Sequence, residues 1–327
     1  MNKTNSTQDA NNIEQKSFAV SKLEGTQHYT GKSEEGFPVF FVHTNASKSS
    51  TSSIRLKLLE VDFLQRCKLI DDNGQEFDDL YSIISLKSSD KDLCLIFEEI
   101  LTMSLKNMEA FPSCREIYIA VENISSIFSQ VSVKSNKPIQ GLWAELLLIE
   151  RSSYPELLVS AWHRDPTDTY DFTEGANKIE VKSTSKDERQ HHFSGEQLTP
   201  TRHSNLVVAS IMVKSSGVGE GAESIKTLCE KIQAKVTVAA WKKLYEIVIQ
   251  TLGNDYHSYN TKYFDYVSAA DSVKFFYLPD IDRIQPENIP GNVHRVEYDI
   301  DLSNVPAIGD SDSTFNLYDK QLYKALF

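Results

Sequence analysis

The stretch Asp171–Thr184 has the sequence DFTEGANKIEVKST, and this stretch decides the fold prediction for the C-terminal part of the chain. Within it, Lys178–Ser183 has the composition of a strand, and Tyr170–Thr173 looks like a second, shorter strand. Gly175-Ala176-Asn177 supplies a turn between them. The sequence therefore predicts a hairpin of two paired strands.

Three residues of this hairpin are candidate catalytic residues. Since residues two apart in a strand point to the same side, Glu180 and Lys182 should project together, with Val181 buried behind them. The hairpin should also bring Asp171 beside Glu180. Converging carboxylates with room for water suit Mg²⁺. We therefore predict a Mg²⁺ (or Mn²⁺) site at Asp171 and Glu180, with Lys182 placed to orient or deprotonate an attacking water.

A helix precedes the hairpin and carries one further acidic candidate. Gly141–Arg151 has the sequence GLWAELLLIER, which predicts a helix with a continuous apolar side. Glu145 is the only charged residue in the apolar run Leu142–Ile149. It is either a carboxylate on the helix surface or an additional acid directed at the predicted site.

Further elements are predicted around the hairpin, from apolar runs and their spacing. They are a strand at Leu157–Trp162, a short helix at Ser194–Leu198, a buried strand at Asn205–Val213, one or two helices between Glu223 and Leu252, and strands at Val273–Leu278 and Val293–Leu302.

The N-terminal part of the chain shows a different pattern. Pro38–His43, Ser53–Leu59 and Val61–Leu69 predict a small antiparallel sheet, with a turn at Asp71-Asp72-Asn73-Gly74, and helices should follow at Lys91–Met108 and Ile117–Val133. With a break at Lys134–Pro138, we predict a disordered leader over 1–17, an α+β module over 18–134, and a second domain, which carries the hairpin, with a C-terminal extension over 135–327.

Composition restricts the function classes. No apolar run is long enough to span a bilayer, and the polar N-terminus has no signal-peptide core, so we expect a soluble cytoplasmic protein with no membrane association. The net charge of −12 argues against a nucleic-acid partner, because Lys and Arg supply most of the affinity for phosphate. The segment 134–214, however, has nearly equal numbers of basic and acidic residues.

Other candidate sites carry weaker patterns. Arg189, His191 and Arg202, with His192 and His203 nearby, either contact phosphates or form an ordinary solvated loop. A zinc site from the histidines of this segment and Cys229 has no recognisable ligand spacing. The glycine-rich stretch 217–221 lacks the Lys-Ser/Thr of a phosphate-binding loop, which favours a flexible loop.

The hairpin and its flanking blocks resemble a known family. DFTEGANKIEVKST resembles the D-x(n)-(D/E)-x-K signature of the PD-(D/E)XK nuclease superfamily, although Tyr170 stands where the literal motif has proline. Together with GLWAELLLIE and the R-x-H-x-F-S-x-x-Q-L block that begins at Arg189, it is similar to PD-(D/E)XK proteins encoded near bacterial restriction and methylation genes. The resemblance implies a restriction-endonuclease-like α/β fold, a mixed sheet core flanked by helices.

The resemblance also implies an activity and its residues. It implies hydrolysis of DNA phosphodiesters with Mg²⁺, Asp171 and Glu180 as metal ligands, Lys182 as the catalytic lysine and Glu145 as the helical acid. Gln197 matches a glutamine that some superfamily members carry after the core, and we place it among the DNA-binding residues.

Two functions therefore stay open. The first is a Mg²⁺-dependent DNA endonuclease in restriction or in defence against foreign DNA, acting with other restriction-modification or defence proteins. The second is a catalytically silent subunit of the same fold that binds DNA or a partner ATPase or methyltransferase. The intact set of Asp171, Glu180 and Lys182 favours the first.

Overall fold

The chain divides into two compact units in a computed structural model, Met1–Ser129 and Gln130–Phe327. The structure describes residues 17–45, 52–131, 138–163, 168–201, 203–309 and 321–326. The predicted leader thus falls outside the described residues, apart from its last position. Among the helices in these ranges, none combines the length and the apolar character that a membrane span requires.

Six strands form the N-terminal unit's sheet. They are β1 (Ser17–Lys22), β2 (Tyr29–Lys32), β3 (Pro38–His43), β4 (Ile54–Arg55), β5 (Leu59–Asp71) and β6 (Glu76–Leu86). Their order is β1-β2-β3-β6-β5-β4, and β1 also pairs with β5 in parallel, which closes a small barrel. The sheet was predicted to be antiparallel; this one parallel pair is the exception.

Alternating apolar residues direct one face of these strands into the barrel. Its core includes Val39, Phe41, Leu69 and Tyr81, which are at most 3% exposed. The predicted turn at Asp71–Gly74 is confirmed. Asp71 Oδ1 accepts hydrogen bonds from two backbone N–H groups of the turn, and Gly74 has φ +75°, a value that suits glycine.

Two helices follow the barrel strands, as the spacing of apolar residues predicts. They are α1 (Lys91–Lys106) and α2 (Cys114–Val131). The apolar residues on their inner faces, including Phe97, Leu101 and Ile117, are fully buried.

The C-terminal unit begins with helices and continues with short strands between helices. Its elements are α3 (Ile139–Arg151), α4 (Pro155–Ala161), β7 (Phe172–Glu174), β8 (Asn177–Thr184), β9 (Gln190–Ser194), β10 (Asn205–Met212), β11 (Ser215–Ser216), β12 (Ala222–Ser224), α5 (Ile225–Gln233), α6 (Val238–Leu252), β13 (Tyr263–Asp265), α7 (Tyr266–Ser272), β14 (Lys274–Tyr277), β15 (Glu297–Asp301) and α8 (Gln321–Lys324). Three short 3₁₀ helices lie at Gly253–Tyr259, Leu278–Asp280 and Pro286–Asn288.

A four-stranded mixed sheet carries the predicted hairpin. Its order is β14-β10-β8-β7, with β8 and β10 parallel and the other pairs antiparallel. The hairpin of β7 and β8 has the predicted turn, and Gly175 there has φ +56°. The buried strand predicted at Asn205–Val213 is confirmed as β10. The predicted fold class, a mixed sheet flanked by helices after an N-terminal α+β module, is also confirmed.

Two predicted elements are wrong. Leu157–Trp162 was predicted as a strand, but Pro155–Ala161 forms helix α4, which Pro155 begins at a position where its missing N–H costs nothing. Only Trp162 makes a strand-like bridge, to Phe172. The short helix predicted at Ser194–Leu198 is a turn that follows strand β9.

Candidate active site

Strand β8 places Glu180 and Lys182 beside each other. Lys182 Nζ lies 2.8 Å from Glu180 Oε1, and the two side chains are 16% and 5% exposed. Lys182 Nζ also lies 4.8 Å from the centre of the Phe193 ring. Val181 is buried, as predicted from the alternation along the strand. Glu180 and Lys182 therefore form a largely buried ion pair on a central strand of the sheet.

Asp171 reaches the same strand from the other side of the hairpin. It directly precedes β7, where Phe172 is paired with Ile179. One Asp171 carboxylate oxygen accepts a hydrogen bond from the backbone N–H of Val181 at 2.7 Å. The carboxylate is thus held against the strand position between Glu180 and Lys182, and the residue is 8% exposed.

Glu145 is fully buried on helix α3. Its Oε2 accepts a hydrogen bond from Trp162 Nε1 at 2.8 Å and lies 3.6 Å from His163 Nε2. The side chain therefore points into the protein, which excludes the alternative of a carboxylate on the helix surface. A buried carboxylate needs such partners, because removing an ionised group from water is costly.

One cluster of ligand-type side chains emerges from this packing. Single ligand atoms of Glu145, His163 and Asp171 all lie within 4.8 Å of one another. The backbone N–H of His163 donates to the Asp171 carbonyl at 2.9 Å, which ties the two segments together. Glu180 was predicted as the second ligand but is not one of these three.

The donor set of this cluster fits a divalent cation. Two carboxylates and one imidazole supply two negative charges and three ligand atoms, and the protein surrounding them is largely closed to solvent. Elsewhere in the described ranges, no other group of three or more His, Cys, Asp and Glu side chains has this proximity. The weak zinc alternative with Cys229 therefore gains no support.

Gln197 joins Glu180 to Lys182. Its Nε2 donates to Glu180 Oε1 at 2.6 Å, and its Oε1 accepts from Lys182 Nζ at 2.9 Å. The amide can satisfy both neighbours in only this orientation, since an ammonium needs an acceptor and a carboxylate needs a donor. The sequence analysis placed Gln197 among DNA-binding residues, which stays a prediction; the structure brings its amide into contact with Glu180 and Lys182.

Arg189 and His191 do not present their side chains to solvent, being 5% and 3% exposed. Arg189 donates to the carbonyl and hydroxyl oxygens of Ser210 at 2.8 and 2.9 Å, and to the Ser272 carbonyl. His191 Nε2 lies 2.7 Å from the same Ser210 hydroxyl, and burial lowers the pKa of His191 to about 4. This placement argues against both as phosphate contacts. Arg202 lies outside the described residues.

A cleft of about 1310 Å³ adjoins the cluster. His163 and Tyr170 are among the residues that line it. Its charged lining is mixed, with the basic residues Lys178, Lys243, His294 and Arg295 and the acidic residues Asp168, Glu196 and Glu297. Burial and the neighbouring Glu180 raise the pKa of Tyr170 to about 12, so its hydroxyl stays protonated at neutral pH. His163 is the member of the cluster with Glu145 and Asp171 that lines this cleft.

His163 is the site residue that the sequence analysis missed. It has no spacing relation to the E-x-K pair, and it reaches Glu145 only because helix α4 ends immediately before Trp162. The one feature of the sequence that could have indicated His163 is its place directly after Trp162, in the block that precedes Asp171.

The comparisons with known proteins agree with the motif. No curated protein and no solved structure matches the chain. A family model described as "Putative PD-(D/E)XK family member, (DUF4420)" matches residues 5–303, which is nearly the whole chain. The chain belongs to this PD-(D/E)XK family.

Proposed function

We propose that the chain is a metal-dependent endonuclease that hydrolyses phosphodiester bonds in DNA. The observation that carries the proposal is the meeting of Glu145 and Asp171 in one buried cluster directly beside the Glu180–Lys182 pair. Burying Asp171 and Glu180 on the hairpin and Glu145 on helix α3 costs free energy, because each carboxylate is removed from water, and a purely structural role does not explain that cost.

The residues have distinct roles in this proposal. Glu145 and Asp171 hold the divalent cation, Mg²⁺ or Mn²⁺, and Glu180 contributes further negative charge beside them. The cation, when bound, polarises the phosphate and stabilises the charge on the leaving oxygen. Lys182, as an ammonium ion held by Glu180 and Gln197, donates hydrogen bonds that orient the attacking water and the phosphate.

DNA is proposed as the substrate because of the family match and because lysine side chains line the cleft beside the site. Lys178 and Lys243 line the cleft and can contact phosphates, although Asp168, Glu196 and Glu297 also line it and Arg295 is paired with Glu297. The net charge of −12 opposes tight binding of DNA by the chain alone. We therefore also propose that a more basic partner of a restriction or defence system delivers the DNA.

The test is cleavage of supercoiled plasmid by the purified full chain in EDTA, Mg²⁺ or Mn²⁺, with and without candidate partners. Asp171→Asn, Glu180→Gln and Lys182→Met preserve the size of each side chain while removing its charge. Each should lower the cleavage rate at least about a hundredfold, since each removes charge that acts on the reacting phosphate. Asp187→Asn is the matched control, because Asp187 is an 88% exposed surface carboxylate paired with Lys214.

DNA binding, measured by fluorescence anisotropy in Ca²⁺, should persist in all four variants. Cleavage that survives all three site substitutions would place the nuclease elsewhere. DNA binding without cleavage in the wild type, even with partners, would instead favour the silent scaffold.

A further inference from the structure

His163 occupies a position that the E-x-K motif does not describe. Its Nε2 lies 3.6 Å from Glu145 Oε2, and the imidazole is 12% exposed while the Glu145 side chain is 1% exposed. The imidazole therefore faces an almost closed space that two carboxylates share, and its remaining edge borders the cleft.

The backbone holds His163 in this place from both sides. Trp162 pairs with Phe172 in an isolated bridge, and the N–H of His163 donates to the carbonyl of Asp171. Lys243 Nζ also donates to the Trp162 carbonyl at 3.1 Å. The hydrogen bond from His163 to Asp171 is part of this bridge, so the bridge and the Lys243 contact together hold the backbone of Trp162 and His163.

The ligand chemistry of an imidazole differs from that of a carboxylate. Mg²⁺ binds oxygen ligands and keeps several waters, whereas first-row transition ions accept nitrogen ligands readily. An all-carboxylate site therefore suits Mg²⁺, and exchanging one oxygen for an imidazole nitrogen moves the preference toward the transition series.

We propose that His163 is a metal ligand together with Glu145 and Asp171, and that it makes this site prefer a first-row transition ion such as Mn²⁺ over Mg²⁺. The inference rests on the proposed metal-dependent function and specifies its cation. Mn²⁺ gives the most stringent test of this preference, because protein sites generally bind it more weakly than the other divalent ions of the first transition row.

The experiment measures metal binding without DNA, so that it does not depend on cleavage. The metal-free full chain is titrated with Mn²⁺ and the free ion is followed by electron paramagnetic resonance, first alone and then with competing Mg²⁺. Electron spin echo modulation of bound Mn²⁺ reports a directly coordinated ¹⁴N nucleus. His163→Gln replaces the imidazole with a neutral oxygen ligand of similar reach, and His163→Ala removes the ligand.

We expect the wild type to bind Mn²⁺ with a ¹⁴N coupling. His163→Gln should lose that coupling and lower the preference for Mn²⁺ over Mg²⁺ at least about tenfold. His163→Ala should weaken Mn²⁺ binding by at least the same factor. His257→Asn, at an exposed histidine outside the cluster, should retain both the coupling and the affinity. Circular dichroism checks that each variant is folded.

Two results would overturn the inference. One is a ¹⁴N coupling and a Mn²⁺ preference that both survive in folded His163→Gln, and the other is a wild type that binds no Mn²⁺ at millimolar concentration. The second result would make the cluster a metal-free ion pair. The first result, found together with Mg²⁺-dependent cleavage by the wild type, would reject this inference and leave the proposed nuclease standing. Specific Mn²⁺ binding without any cleavage would reject only the proposed nuclease.

Discussion

At the scale of single residues, the indole of Trp162 orients Glu145, the acidic residue on helix α3. Its indole N–H donates to Glu145 Oε2 at 2.8 Å, and both residues are at most 2% exposed. A hydrogen bond to a buried charged oxygen contributes more than one between neutral groups, and its loss leaves the carboxylate less well solvated. The orientation of the Glu145 carboxylate toward the cluster therefore depends on this indole.

Trp162→Phe should weaken Mn²⁺ binding about tenfold or more, because it removes the donor that orients a proposed ligand. It should also lower the free energy of unfolding by about 1–3 kcal/mol. Trp143→Phe is the matched control: Trp143 is equally buried, but its indole donates to the Glu223 carbonyl at 3.0 Å. It should destabilise the fold and leave the metal affinity unchanged. Equal metal affinity in both variants, by Mn²⁺ titration, would contradict the assignment.

Local spacing explains which site residues were predictable. Glu180 and Lys182 are two apart in one strand, so their shared side follows from strand geometry, and Asp171 follows from the hairpin. His163 reaches Glu145 and Gln197 reaches Glu180 through long-range packing, to which no fixed spacing corresponds. The buried state of Arg189 has the same origin, since its partners Ser210 and Ser272 are far away in sequence.

At the scale of elements, the boundaries of long periodic segments were predictable and short apolar runs were not. Helix α3 and strand β10 match their predictions closely, because each has a consistent apolar pattern over eight residues or more. Pro155–Ala161 contains leucine, valine and alanine in a run that suits a buried strand and a short helix equally. Packing against other elements, including α6, stabilises the helix in the folded protein.

Arg189 belongs to this scale, because it joins three elements. Its guanidinium connects the chain before β9 to Ser210 in β10 and to Ser272 at the end of α7. Arg189→Met should lower the free energy of unfolding by about 3 kcal/mol or more, since several bonds to a charged donor are lost. Lys186→Met, at an exposed lysine of the same segment, should change stability by less than about 0.5 kcal/mol.

The salt dependence of DNA binding by folded Arg189→Met distinguishes a structural role of Arg189 from a phosphate contact. A structural arginine leaves the slope of log affinity against log salt unchanged. A phosphate contact would reduce that slope by about one, and would restore the DNA-binding role predicted from sequence.

At the scale of the whole molecule, charge is unevenly distributed along the chain. The segment 134–214 is nearly neutral, so most of the net charge of −12 lies outside it. The acidic remainder of the chain repels DNA at long range, and salt screens this repulsion. The proposed need for a basic partner follows from this distribution.

The division into domains stays a prediction, with its boundary at Lys134–Pro138. Contacts separate the chain into units that meet at Ser129 and Gln130, close to this segment. Few contacts cross such a boundary, so a protease should reach the connecting backbone before it reaches either core. Brief trypsin treatment of the full chain should therefore cleave first after Lys134, since Pro138 blocks cleavage after Lys137, and should leave two protected fragments, identified by mass spectrometry. Initial cleavage inside β8 or β10, or no protected fragment at all, would mean that one continuous core spans the predicted boundary.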